Sequence, residues 1–363
     1  MINLFNSLFK GKTVLVTGHT GFKGSWLCIW LRELGANVVG YALDPYTYND
    51  IFVVSGMKDK IKSNIGDVRD YGGLKGVFDK YQPEIVFHLA AQPLVRMSYK
   101  QPKLTYETNV GGTVNLLECC RLTESVKIVI NVTSDKCYDN QEWIWGYREN
   151  DRLGGFDPYS SSKGCSELIT AAYRDSFFSE TRGGSLVKYV SSVRAGNVIG
   201  GGDWREDRLV PDCIRALKNA EPIIIRSPGS VRPWQHVLDP LSGYLLLASR
   251  MFENGGEYSG AWNFGPEYAS FITVSELTQR LIKCWGSGRY KDLSEGPGQE
   301  PHETRSLTLD ISKAVNLLKW KPALNVDEAI EYTVNWYKAG DAGYNFCVNQ
   351  IRGYIGKMLD EKG

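Results

Sequence analysis

Tyr159 and Lys163 stand four residues apart in YSSSK, so on a helix they share one face, a turn apart. A phenol with its ordinary pKa of ~10 is a poor base at neutral pH. A lysine ammonium beside it favours the phenolate. Tyr159 could then take the proton of an alcohol while hydride leaves the carbon. A second set lies upstream in TSDKCY, residues 133–138. It follows VKIVINV, which reads as a buried strand. Ser134, Asp135 and Lys136 put a hydroxyl, an acid and a possible base in a row at that strand's end. A hydrated turn and an exposed helical pair are the plain alternatives. The span from a glycine-rich segment near the N-terminus to the Tyr/Lys pair, and the place of the second set at a core strand's end, favour chemistry.

That segment reads TGHTGFKG and places Gly18, Gly21 and Gly24 between a short apolar run and an amphipathic stretch. One glycine permits a tight turn, one lets a pyrophosphate approach, and one lets the helix pack close. Helix N-terminal amides would face the anion. His19, Thr20, Phe22 and Lys23 occupy the other positions of this GxxGxxG cradle. It implies a dinucleotide, whose oxidised nicotinamide would add a positive charge beside Tyr159. An acid after the second strand would bind both ribose hydroxyls. The chain has Ala42 at that place and Asp44 two residues later. No arginine immediately follows to meet a 2′-phosphate; Lys23 and Arg69 are the available substitutes. NAD is the expected cofactor. Asp67, with Val68 beside it, is a candidate for the adenine edge, or a turn former.

These residues need elements to carry them. The chain has 363 residues, 42% of them hydrophobic, and a formal net charge of +1. This fits an ordered globular protein and argues against a nucleic-acid binder. No apolar run is long enough to span a bilayer. MINLFNSLFKGK lacks a signal-peptide layout, so a cytoplasmic protein is expected. The eight cysteines show no CxxC pair and read as buried, reduced thiols. The four histidines, His19, His88, His236 and His302, are scattered, and no metal site is expected. Strands are read at 13–18, 37–43, 60–67, 83–91, 126–134 and 185–197, with helices between them, two long ones at 102–123 and 159–179. This alternation marks an α/β protein with a Rossmann-type doubly wound parallel sheet. Residues 1–197 form the nucleotide-binding domain, with 236–264 returning to it. Residues 198–235 and 265–363, with helices at 211–220, 273–285 and 311–318 and a strand at 222–227, form a smaller C-terminal α/β substrate lobe.

The cradle, HLAAQ (88–92), TNVGGT (108–113), VTSD, Tyr159 with Lys163, and RAGNVIGGGDW resemble the extended short-chain dehydrogenase/reductase family. Within it, TSDKCYDN, AAQPLVRMSY, WGYREND, GNVIGGGDW and RPWQHVLDP resemble the 4,6-dehydratases that act on CDP-glucose. The likeness covers nearly the whole chain. It implies that Leu89, Ala90, Ala91 and Asn109 join the cofactor site. It also implies an internal redox cycle on a nucleotide sugar: C4 oxidation, loss of water across C5 and C6, and reduction at C6. Ser134 would hydrogen-bond the C4 oxygen, and Asp135, if protonated, would be the acid at the C6 hydroxyl. Related dehydratases carry a glutamate as C5 base where this chain has Lys136. Lys136 is therefore either the base or an electrostatic stabiliser of the C5 enolate. Arg232 looks like the family's diphosphate-binding arginine. Asn197 and Arg208 are expected to help, and Gln92 and Arg96 to face the sugar or the nicotinamide. Trp204 and Trp234 either line the base pocket or pack. The family likeness also implies a homodimer, or a dimer of dimers, built on helices 102–123 and 159–179. Rival readings are a nucleotide-sugar epimerase, a dehydratase of GDP-mannose or dTDP-glucose, and a sensing protein that lost the chemistry. An epimerase has no use for Asp135 and Lys136, and a sensor none for an intact Ser134, Tyr159 and Lys163.

Overall fold

The computed structural model describes residues 4–178, 187–292 and 307–360. Residues 179, 185 and 186, at ends of expected elements, and His302 lie outside these. Three runs with no polar alternation set the middle of the molecule: β1 (Thr13–Thr17), β4 (Ile85–His88) and β5 (Ile128–Val132). Strands buried on both faces must be covered by helices on both sides, which is what parallel sheets require. With β2 (Asn37–Ala42), β3 (Lys62–Ile65), β6 (Tyr189–Ala195) and β7 (Gly260–Phe264) they form, among the described residues, a seven-stranded sheet. Its order is β7-β6-β5-β4-β1-β2-β3 and every pairing is parallel. The chain reverses direction across the sheet between β1 and β4, the place where such folds open a crevice.

One face of the sheet packs Leu15, Val39, Val86 and Val129 against helices α2 (Tyr71–Tyr81) and α3 (Gly112–Leu122). The other packs Val14, Val16, Phe87, Ile128 and Ile130 with Trp26 and Trp30 of α1 (Phe22–Glu33). The two helices read as unbroken at 102–123 and 159–179 each contain a π turn. In the first, Pro102–Tyr106 passes through Glu107–Gly111 into α3. In the second, α4 (Pro158–Tyr173) ends in Arg174–Phe178. The extra residue of a π turn re-aims side chains. In the first turn it lets Asn109 bond the backbone of Gln92 in both directions, 2.8 and 3.1 Å.

A second lobe stands over the carboxyl ends of the strands. It holds α5 (Leu209–Lys218) and two small strand pairs, Ile223–Ile225 with Tyr290–Asp292 and Val231–Pro233 with Phe271–Thr273. Helix α6 (Leu238–Asn254) and β7 return to the sheet, and α7 (Val274–Trp285) follows in the lobe. Then α8 (Val326–Lys338) leads to α9 (Tyr344–Asp360), which packs behind α1, with Tyr354 edge-on to Trp30 at 5.6 Å. Among the described residues no helix is long and apolar enough to cross a membrane.

Candidate active site

A cavity of about 710 Å³ opens where β1 and β4 diverge. One arm runs along the start of α1. Gly18 closes β1 with φ +74°, and a Cβ there would lie 2.8 Å from the Ala90 amide nitrogen. A Cβ on Gly24 would fall 2.1 Å from the Gly18 carbonyl oxygen. Only glycine allows this turn and this helix to meet. Gly21 is the N-cap of α1 and offers no capping side chain, so the first-turn amides face the cavity. Thr20, Phe22 and Lys23 also line it, as do Ala42, Asp44, Asp67 and Val68 at the far end. Burial, with the cations of Arg208 and Lys163 nearby, lowers the Lys23 ammonium to about 7. Arg69 donates to Asp67 at 2.5 and 2.9 Å, and holds its carboxyl below the usual range. Leu89, Ala90 and Ala91 form the opposite wall. Ala90 N–H is held by the Thr17 hydroxyl at 3.2 Å.

Two residues expected in the cofactor site, His19 from the cradle and Asn109 by resemblance, do not line the cavity. His19 is buried under the turn, with Nε2 2.7 Å from the Ser63 hydroxyl and its ring edge-on to Phe52. Burial lowers it to about 4, so it is neutral. Asn109 is also buried. Beyond its bonds to Gln92 it donates to the Ser162 hydroxyl at 2.9 Å, tying the 89–94 loop to α4.

The floor is made by β5 and α4. After β5, Ser134 N-caps a single 3-10 turn, Asp135–Cys137, and accepts from the Lys136 amide at 3.2 Å. Asp157 caps α4 by accepting from Ser160 N–H at 2.9 Å, and Pro158 takes the first helical position. Tyr159 and Lys163 thereby project from the first turns of α4 toward the strand end. Lys163 Nζ donates to the Val132 carbonyl at 3.3 Å, and burial lowers it to about 8. Tyr159 is pushed up to about 12, chiefly by burial and less by the charge of Asp135. Burial therefore outweighs the lowering by the Arg208 cation. A hydrogen bond from Ser134 pulls in the opposite direction. Asp135 is buried and its carboxyl is raised, although Lys136, Ser134 and Arg232 all favour its charged form. Ser134 Oγ lies 2.9 Å from Asp135 Oδ1. A neutral Asp135 could donate to Ser134, which frees the Ser134 proton for Tyr159. Lys136 lines the cavity beside them.

The second arm leads under the lobe. Asn197, Arg208 and Gln92 line it. Gln92 uses its amide on its surroundings, donating to the Leu94 carbonyl at 3.1 Å within its loop and to Thr105 Oγ1 of the helix Pro102–Tyr106 at 2.9 Å. Arg208 donates to Asp203 at 2.7 Å. Arg96 faces Asp207 at 3.9 Å and, like Arg232, does not itself line the cavity. Arg232, on the strand Val231–Pro233, donates to its neighbour's carbonyl and acts on the Asp135 carboxyl. Trp234 lines the cavity, whereas Trp204 packs edge-on against Tyr337 at 5.1 Å. Asp203, Arg205 and Asp207 line it too and were not anticipated. Their signal was the alternation of acids and arginines in GGDWREDR. Arg205 stacks on Tyr46 at 4.1 Å, joining the lobe to the loop after β2. Among the described residues no group of three His, Cys, Asp or Glu side chains could hold a metal ion.

A parallel sheet in this order, a glycine cradle opening α1, and a Tyr/Lys pair under the crevice define an extended short-chain dehydrogenase/reductase. The chain belongs to the family described as GDP-mannose 4,6 dehydratase, whose model matches residues 15–333. It is similar to the CDP-glucose 4,6-dehydratase of Salmonella typhimurium, 50% identical over 342 residues, which cover 94% of this chain and 95% of the relative. Among solved structures, MoeE5 in complex with UDP-glucose and NAD is 26% identical, with a TM-score of 0.71 over 89% of this chain and 98% of that one. The Thermus thermophilus UDP-glucose 4-epimerase complex with NAD shares the fold, with a TM-score of 0.76 at 24% identity over 90% and 99% of the chains.

Proposed function

We propose that this chain is an NAD-dependent 4,6-dehydratase that converts CDP-glucose to CDP-4-keto-6-deoxyglucose and water, serving deoxysugar and surface-polysaccharide synthesis. The observation that carries the reading is the meeting of Ser134, Asp135, Lys136, Tyr159 and Lys163 on one cavity floor, between a dinucleotide cradle and an arginine-lined arm. The 50% identity to a CDP-glucose 4,6-dehydratase over nearly the full length supports the substrate.

The cradle suits NAD. Its uncapped helix start fits a pyrophosphate. The carboxylates of Asp44 and Asp67 fit ribose hydroxyls and oppose a 2′-phosphate, while Arg69 is engaged by Asp67. When bound, NAD supplies the hydride acceptor for C4, the donor for C6 and, while oxidised, a positive charge. Tyr159 takes the C4 hydroxyl proton, helped by Ser134 and Lys163. The resulting ketone acidifies C5–H. Lys136 either removes that proton or steadies the enolate, and Asp135, whose carboxyl burial pushes toward its protonated form, protonates the departing C6 hydroxyl. Arg232, Arg208 and Asn197 bind the diphosphate. Arg96 and Gln92 shape the sugar end.

We further infer a cytoplasmic enzyme, since all eight cysteines are free. A homodimer, alone or paired again, would cover Val114, Leu122 and Leu168, which stand exposed on α3 and α4. The test is to incubate the protein and NAD with CDP-, dTDP-, UDP- and GDP-hexoses, and to read 4-keto product by its near-ultraviolet absorbance in alkali. CDP-glucose should give it fastest. A C4 epimer, or a faster reaction with another nucleotide, would overturn the reading.

A further inference from the structure

The loop that carries Ser134, Asp135 and Lys136 is tied to its neighbours by backbone bonds from Thr133 N to Val193 O and from Gly154 N to Cys137 O, both 2.9 Å, and only loosely within itself. Its single 3-10 turn is closed by bonds of 3.3 Å from Cys137 N to Ser134 O and from Tyr138 N to Asp135 O. Something else must hold side chains that act within fractions of an ångström. Directly behind the loop lie Glu167 and Arg194, each side chain 3% exposed. They form a bidentate pair, with Arg194 Nη2 2.8 Å and Nε 2.9 Å from the two carboxylate oxygens. Glu167 also accepts from Ser192 Oγ at 2.6 Å and from Thr133 Oγ1. Arg194 Nη1 donates to the Tyr138 hydroxyl at 2.5 Å and to the Glu149 carbonyl at 3.0 Å. Its guanidinium lies 4.7 Å from the centre of the Tyr138 ring. Thr133 and Tyr138 are the residues at the two ends of the loop.

We propose that the Glu167–Arg194 pair is a positioning clamp that grips residues 133–138 at both ends and so sets where Ser134, Asp135 and Lys136 stand against Tyr159. The pair touches no reacting atom. Its members come from the elements that must agree on that geometry. Glu167 lies on α4, four residues after Lys163, and Arg194 lies on β6. One carboxylate thus references the 133–138 loop to the helix that carries the Tyr/Lys pair. The far end is tied further. Tyr138 donates to Asn263 Oδ1 at 2.8 Å, and the Asn263 amide holds the carbonyls of Tyr147 and Asp310 at 2.8 and 3.1 Å. A bidentate pair with every other contact filled has one low-energy arrangement, which suits it to fixing position. Stability is a secondary matter for such a pair, because burying two charges offsets much of their attraction.

The catalytic consequence rests on the dehydratase reading; the geometric one does not. Three mild variants test both: Thr133→Val and Tyr138→Phe each remove one grip, and Thr133→Ser keeps the hydroxyl. Displacing a reacting group by about 1 Å can cost roughly 10²-fold. Thr133→Val and Tyr138→Phe should therefore lower kcat by about 10- to 100-fold with KM for CDP-glucose within about twofold. Thr133→Ser should stay close to wild type. Elimination should slow more than C4 oxidation, so that CDP-4-ketoglucose builds up, because Tyr159 and Lys163 sit on the helix. Amide hydrogen exchange of residues 133–138 in the protein without substrate should quicken in Thr133→Val and not in Thr133→Ser, with melting temperatures alike. The clamp is overturned if Thr133→Val exchanges and turns over like wild type, or if Thr133→Ser is as impaired as Thr133→Val. Absence of dehydration in the wild type would strike the functional reading alone, since the exchange comparison still decides the clamp.

Discussion

Asp135→Asn isolates the acid role assigned to the centre of the loop. The substitution keeps the shape and an oxygen for Ser134 but has no carboxyl proton to give. A carboxyl at the ordinary value of 3.8 would be protonated in only about one molecule in 1,600 at pH 7. Each unit of upward shift multiplies that share about tenfold. Burial is the largest influence on Asp135 and drives it upward, past the opposing pull of Lys136, Ser134 and Arg232. The site thus raises the population that can act as an acid. General acid help is worth roughly 10²–10⁴-fold, so elimination should slow by about that factor in Asp135→Asn. C4 oxidation should survive, since Ser134, Tyr159 and Lys163 remain. In a single turnover with CDP-glucose, reduced-cofactor fluorescence should rise and persist, where wild type shows it briefly. Fluoride leaves without strong protonation, so the 6-deoxy-6-fluoro substrate should rescue most of the defect. It should not rescue Lys136→Met if Lys136 removes the C5 proton. Equal rescue of both variants would make Lys136 an electrostatic neighbour. Rescue of neither would refute Asp135 as the acid and leave it a role in holding the sugar.

Tyr159→Phe should abolish C4 oxidation, read as loss of reduced-cofactor formation on adding substrate; turnover like wild type would remove Tyr159 from the base role. With Ala42 closing β2 where an acid is usual, and only Asp44 in the following turn, NAD should be held loosely. Dialysed protein should need added NAD, and activity that survives dialysis undiminished would contradict this. His19, His88 and His236 are lowered by burial to about 4, 3 and 3 and are neutral in the folded state. Unfolded imidazoles bind protons below ~6.5, so the unfolded state holds more protons between that pH and ~4. Stability should therefore fall on acidification through this window, at up to roughly 4 kcal/mol per pH unit for three protons. Urea melts at pH 6.5, 5.5 and 4.5 would measure it, and a flat midpoint would show that these rings are not buried neutral.

The sheet was legible because its strands cannot be mistaken for anything else. TVLVT, IVFH and IVINV have no polar face, so they must be covered on both sides, and the stretches between them have helical period. The π turns in the helices expected at 102–123 and 159–179, and a third at Ala314–Leu318 in the one expected at 311–318, were not legible, since a helix that gains one residue keeps its apolar stripe on both sides of the gain. Motif and placement also separated at His19 and Asn109. Both lie inside stretches that signal a dinucleotide, yet His19 fills the space under the turn and Asn109 holds the loop opposite. A motif marks residues that must occur together, and some of them act by holding others. The same reasoning applies to Arg194. It interrupts SLVKYVSSVRAGN, a strand otherwise apolar or small through its second half, and a guanidinium cannot enter such a strand without a partner. Its presence implied a buried acid somewhere in the chain. Glu167, on the Lys163 face of α4, was the acid in reach, but only the folded chain brings β6 and α4 together around the Thr133 hydroxyl. What the sequence carries as two isolated charges becomes, in the fold, a support placed directly behind the loop whose side chains must stand still for the chemistry.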